Sequence, residues 1–157
     1  MGSVLFVCTA NQCRSPMAEA LFKAHLSQSR ENNKCWQVQS AGLWANDHSP
    51  ATSNAQAILR TRGLDISSHR SQPVTKKLLS SSNLVLCMTE NHKRQLQKDF
   101  PEYSSRIFLL SEMVGKVEDI TDPIGLSRQS YIRIADEIND YINEGIQKIL
   151  SLAKTNH

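Results

Sequence analysis

The run Val4-Leu5-Phe6-Val7 is apolar at every position. A strand with one wet face alternates apolar and polar side chains, so a strand without alternation has to be covered on both faces. That requirement selects a sheet held between two layers of helix. Other segments supply the remaining pieces. Trp36 to Ala41 alternates like a second strand, Asn83 to Thr89 reads as a third, buried strand, and Arg106 to Leu110 as a fourth. Pro16 suits a first helical turn, after which Ala18, Leu21, Phe22 and Leu26 form an apolar stripe. A helix from about Ala51 carries Ala55, Ile58 and Leu59 and stops at Gly63, and Glu90 to Phe100 is a polar helix stopped by Pro101. Ser111 to Ser127 reads as a long loop, and Tyr131 to Leu152 as one long amphipathic helix. Strands alternating with helices predict an α/β fold, a three-layer sandwich around a four-stranded parallel sheet.

Composition narrows the classes. A chain of 157 residues, 39% hydrophobic and 21% charged, can bury a full core without staples and is not a disordered segment. Its apolar runs, such as Leu84 to Met88, are far too short to span a bilayer. The start of the sequence has neither a basic leader nor a long apolar run, so a cytoplasmic protein with reduced cysteines is expected, away from membranes. A net charge of +3 with mixed signs gives no nucleic-acid footprint and weakly favours acidic ligands. Cys8, Cys13, Cys35 and Cys87 form no CxxC pair, and the histidines are scattered, so neither a metal nor a cofactor is expected.

In such sheets ligands bind at the carboxyl ends of the strands, which directs attention to Cys8-Thr9-Ala10-Asn11-Gln12-Cys13-Arg14-Ser15-Pro16. A cysteine, five residues, then Arg and Ser join a buried strand to a helix. That spacing lets the loop curl so that its N–H groups face one anion, with the helix N-terminus adding positive potential. Cys8 at its base is positioned as a nucleophile, Arg14 can clamp two phosphoryl oxygens, and the Ser15 hydroxyl can reach the Cys8 sulfur. Protonation of a leaving group needs an acid, for which Asp119 and Asp122 are both candidates.

The stretch VCTANQCRSPMAE, Val7 to Glu19, resembles the signature of the low-molecular-weight protein-tyrosine phosphatases. Ser40-Ala41-Gly42, the Gly63 helix end, Ser68-His69-Arg70, the NLVLCMT strand and Asp122-Pro123 fall in that family's order. The resemblance implies a sandwich of the low-molecular-weight phosphatase, flavodoxin-like type, with residues 1–157 as a single phosphatase domain. It implies Cys8, Arg14 and Asp122 as catalytic residues and a phosphate-binding loop of Thr9, Ala10, Asn11, Gln12, Cys13, Arg14 and Ser15. Asn11, Ser15, Ser40 and His69 would form a supporting network, with Ser40 and His69 bonding around Asn11 and Ser15. Cys13 would be the partner of a reversible disulfide with Cys8. Asp119 would then be a solvated neighbour of the acid.

Substrates would be phosphorylated proteins, with phosphate and related oxyanions also held in the loop. Phosphotyrosine hydrolysis through a cysteinyl phosphate is the main expectation, and the fold also houses bacterial protein-arginine phosphatases and thioredoxin-coupled arsenate reductases. Three residues would set specificity. Gln12 replaces the apolar residue usual in tyrosine-directed members, Ile124 stands where those commonly place an aromatic, and Trp44 could wall the pocket or sit in the core. An arsenate relay needs two further cysteines after the third strand; Cys87 could be one, and no cysteine follows it. A phosphopeptide-binding module without catalysis would not need Cys8, Arg14 and Asp122 together.

Overall fold

The computed structural model describes residues 2–31, 33–46 and 48–154. Strand β1 (Gly2–Cys8) is buried along its whole length. It pairs in parallel with β2 (Trp36–Gly42) on one side and β3 (Leu84–Cys87) on the other, and β3 pairs with β4 (Ile107–Leu109), giving the order β2-β1-β3-β4. The register sets Cys8 beside Gly42 and Val7 beside Cys87, so the carboxyl ends of the strands share one edge.

The unalternating run in β1 is explained by two cores, one on each face. Val4, Phe6 and Cys8 point into the larger core, formed with α1 (Arg14–Gln28), α2 (Ser53–Thr61), α5 (Arg128–Glu144) and α6 (Ile146–Ala153). Leu5 and Val7 point into the smaller one, where Leu79 of α3 (Lys76–Ser80) and Leu96 of α4 (Glu90–Asp99) meet Val85, Cys87 and Leu109. Phe6 stacks edge-on against Phe22 at 5.8 Å and Phe22 against Trp36 at 5.7 Å, which ties α1 to the central strand β1 and to its edge neighbour β2. Burying each of the two phenylalanine rings contributes about 1.5–3 kcal/mol. No helix among the described residues is long and apolar enough to cross a membrane.

Three elements depart from the sequence reading. The expected single helix from Tyr131 to Leu152 is two, broken at Gly145. A Cβ there would lie 2.7 Å from Met113 Cβ and 2.9 Å from the Tyr141 carbonyl, so the chain bends where Met113 packs against it. The segment read as a loop from Ser111 lies partly in a 3-10 turn over Leu110–Val114, closed by Gly115 at φ 77°. Helix α3 was not expected; Thr75 caps it by accepting the Leu78 N–H at 3.2 Å.

Candidate active site

Between Cys8 and Arg14 the chain turns through a tight loop whose carbonyls are bonded outward. The carbonyls of Cys8, Thr9 and Gln12 accept from the N–H groups of Leu43 (3.0 Å), Trp44 (2.9 Å) and Thr52 (2.8 Å), and His69 Nε2 meets the Asn11 carbonyl at 2.7 Å. No described acceptor engages the N–H groups of Thr9 to Gln12. The N-terminus of α1 has no side-chain cap and no acidic residue in its first turn, so its amide dipoles also remain available to an anion.

Asn11 makes the loop possible. It takes the left-handed conformation, φ 58°, which costs a non-glycine residue about 1–2 kcal/mol. Fully buried, it is held there by donating to Ser15 Oγ (2.8 Å) and Ser40 Oγ (2.9 Å) and accepting the Gln72 N–H (3.1 Å). Ser40 in turn donates to Glu19 (2.7 Å). Asn11 therefore brings Ser15 and Ser40 together while His69 meets its carbonyl, and Ser15 is reached by Asn11 and Cys8 and not by Ser40 or His69. Gly42 closes the assembly by its lack of a side chain: a Cβ would lie 2.6 Å from the Thr9 carbonyl and 2.9 Å from the Asn11 nitrogen.

Cys8 Sγ stands 2.9 Å from Ser15 Oγ. Because Ser15 already accepts from Asn11, its own proton is free to be given to the sulfur. Arg14 is buried, with Nη1 donating to the Ile120 carbonyl (2.8 Å) and Nη2 to Thr9 Oγ1 (3.2 Å). Its Nε is buried without a partner among the described residues, a charged donor left over for an oxyanion. Ile120 is pinned by its N–H to the Met88 carbonyl (2.9 Å), and the preceding turn is tethered by Tyr141 donating to Glu118 (2.6 Å).

That turn brings Asp122 to the loop. Its Oδ2 lies 3.6 Å from Arg14 Nη2, and its Oδ1 accepts from the Ile124 N–H (3.0 Å) and the Cys13 thiol (3.6 Å). The carboxylate is still 42% exposed, open to a leaving group or a water. Burial, with the negative charge of Cys8 and Asp122 adding to it, pushes the Cys13 thiol up to about 12, so Cys13 is a proton donor to Asp122. Asp119 is not merely a solvated neighbour: it accepts the Glu90 N–H (2.8 Å) at the start of α4. Cys87 is fully buried in the smaller core, away from any relay role at the loop. Trp44 is 60% exposed and so is no core residue; its backbone flanks the loop at Thr9, while Ile124, 47% exposed, follows Asp122.

The sequence reading missed His92. It is buried, three residues after Thr89, and its Nε2 lies 2.8 Å from Thr9 Oγ1. Only its place in the first turn of the helix leaving β3 at the sheet's carboxyl edge could have pointed to it.

The sequence model described as low molecular weight phosphotyrosine protein phosphatase matches residues 3–154. A curated relative named protein-arginine-phosphatase, from Bacillus subtilis, is 38% identical over 90% of this chain and 92% of its own. A crystal structure of the low molecular weight protein tyrosine phosphatase from T. tengcongensis is 40% identical, with a TM-score of 0.89 covering 94% of this chain and 99% of that one. A mutant of the YwlE arginine phosphatase with a phosphorylated active-site serine is 36% identical, with a TM-score of 0.88 and 95% of each chain covered.

Proposed function

The chain belongs to the low molecular weight phosphotyrosine protein phosphatase family, and from that premise we propose that Cys8, Arg14 and Asp122 hydrolyse phosphorylated protein side chains through a cysteinyl phosphate. One observation carries the reading: Cys8 lies at the floor of a loop with outward-bonded carbonyls, beside a buried guanidinium whose Nε–H has no partner among the described residues. The sulfur attacks phosphorus as the bond to the leaving group breaks. Loop amides and Arg14 hold the equatorial oxygens, where phosphoryl transfer develops its charge. Asp122 gives its proton to the leaving atom, then takes one from the water that attacks the cysteinyl phosphate, releasing phosphate and the Cys8 thiolate. The phosphorylated active-site serine of the YwlE mutant supports a covalent phosphoenzyme.

Residues 1–157 act in this reading as one phosphatase domain, in the reducing cytoplasm where a thiol nucleophile survives, on phosphorylated proteins rather than nucleic acid or membrane. Phosphotyrosine is the substrate the rim supports, because Trp44 offers exposed apolar surface on a segment flanking the loop, whereas Ile124, in place of an aromatic wall, pulls toward phosphoarginine. Phosphoarginine is the second reading, favoured by the polar Gln12 in the loop and by the name of the Bacillus subtilis relative. Matched phosphotyrosine and phosphoarginine peptides, with released phosphate measured, test both. Wild type should show the higher kcat/KM on phosphotyrosine, and Gln12→Ile should raise that value by about 1–2 kcal/mol of transition-state binding. Higher kcat/KM on phosphoarginine overturns the substrate order. A Cys8→Ser variant retaining a tenth of kcat, a loss of only about 1.4 kcal/mol, overturns the nucleophile.

A further inference from the structure

Besides its 3.6 Å ion pair with Asp122, Arg14 is held by hydrogen bonds at two points. Nη1 rests on the Ile120 carbonyl, a backbone atom fixed in turn by Met88. The second point, Nη2 on Thr9 Oγ1, is a side-chain hydroxyl that has other χ1 rotamers open to it unless something else holds it. His92 is that something. Its Nδ1 accepts the Thr89 N–H at 3.2 Å, while Thr89 Oγ1 accepts the His92 N–H at 3.2 Å. With Nδ1 accepting, the ring proton belongs on Nε2, which then donates to Thr9 Oγ1 at 2.8 Å. One hydroxyl oxygen therefore receives both His92 and Arg14.

We propose that His92 is a positioning residue of this site, fixing the Thr9 hydroxyl so that the Arg14 guanidinium is held with its unpartnered Nε–H available to the phosphoryl oxygens. The inference rests on the phosphatase reading above. The chemistry of imidazole suits the task. Burial, and then the positive charge of Arg14, pull the ring down to about 4, against the smaller opposing pull of Asp119 and Asp122. The ring is therefore a neutral N–H donor that does not repel the neighbouring guanidinium. A lysine there would add a second cation, and a carboxylate would compete with the phosphoryl group for Arg14.

Two substitutions separate this role from helix capping. His92→Asn keeps an acceptor near the Nδ1 position and can still cap α4, but cannot reach Thr9. His92→Gln can place a donor near the Nε2 position. Kinetics with p-nitrophenyl phosphate and vanadate affinity by titration are measured for both, alone and combined with Thr9→Val. His92→Asn should melt near the wild-type temperature, lower kcat and kcat/KM about ten-fold and weaken vanadate by a similar factor, as expected for one lost bond in a charged network. His92→Gln should recover most of the loss. In a Thr9→Val background, His92→Asn should cost nothing further, since the hydroxyl it acts through is gone.

Thr9→Val and Thr9→Ser leave His92 and its cap intact, and so test the inference even where a His92 variant fails to fold. The valine should reproduce the ten-fold loss and the serine should restore it. His92→Asn within two-fold of wild type, or a full loss persisting in the Thr9→Val background, overturns the inference while leaving the phosphatase reading in place. A wild type that cleaves neither p-nitrophenyl phosphate nor either phosphopeptide overturns the phosphatase reading, and the inference with it.

Discussion

Gly42→Ala should disable the site while leaving the fold standing. At Gly42 the added methyl would sit 2.6 Å from the Thr9 carbonyl oxygen, 2.9 Å from the Asn11 nitrogen and 3.0 Å from the Ala10 carbonyl carbon, all backbone atoms of the loop. Relieving contacts that close needs a displacement of roughly 0.5–1 Å, because non-bonded atoms settle at about 3.5 Å or more. Overpacking of that size costs about 1–3 kcal/mol, which for a chain of this length lowers Tm by roughly 3–10 °C. The larger consequence is chemical. A shift of about 1 Å in groups that position a reacting centre reduces rate on the order of a hundred-fold. Gly2→Ala is the control. It lies at the opposite end of the same strand pair, and the three atoms nearest its methyl would all belong to the Trp36 side-chain ring, the first at 2.5 Å. That variant should lose stability without losing kcat. Thermal melts and p-nitrophenyl phosphate kinetics on both variants decide the matter. A folded Gly42→Ala protein with kcat/KM within three-fold of wild type would refute the reasoning.

Replacing Asp122 with Ala should slow substrates with poor leaving groups by roughly 10²–10⁴-fold and activated aryl phosphates less, read as kcat across a leaving-group series; a larger defect in Asp119→Ala would transfer the role of acid. Mild peroxide should inactivate the protein through a Cys8–Cys13 disulfide that thiol reverses, and mass spectra showing Cys8 only as sulfinic or sulfonic acid would refute the pairing. For His92, the folded ring titrates near 4 against an ordinary 6.5, so the unfolded chain binds the extra proton between those values. Its contribution is fully present above pH 6.5 and is lost as pH falls toward 4, by at most about 3 kcal/mol. Denaturant midpoints of wild type should therefore fall more steeply with acid than those of His92→Asn, and parallel curves would contradict the assignment.

What could be read from the sequence follows from how local the determinants are. Cys8, Arg14 and Ser15 lie on a continuous strand-loop-helix stretch, so buried periodicity and spacing were enough to bring them together. Asp122 required the resemblance, because no local pattern says that it returns to within 3.6 Å of Arg14. His92 lay beyond both. Its contact with Thr9 spans 83 residues and starts from a helix whose sequence is almost wholly polar. The break at Gly145 escaped for a different reason: Tyr141, Ile142, Ile146 and Ile149 keep helical spacing across it, and only the close approach of Met113 divides the helix. Asp119 is exposed as expected, and its bond to the Glu90 N–H was not legible because a carboxylate that reaches a helix start from another loop leaves no mark in its own neighbours.

Strand β2 lies at the margin of the sheet, with β1 on one side and, among the described residues, a single bridge from Gly42 to Pro73 on the other. Ser40, Gly42 and the segment carrying Gln72 are interlocked there: Gly42 donates to the Gln72 carbonyl, and the Gln72 side chain donates to the Ser40 carbonyl. Margins of sheets open at lower free energy than their centres. A partial opening that frees this strip would strip Asn11 of two of its restraints at once while β1 and β3 stay paired. Heat or denaturant should accordingly extinguish turnover ahead of the collapse of secondary structure, and the working lifetime of the protein is set at its rim.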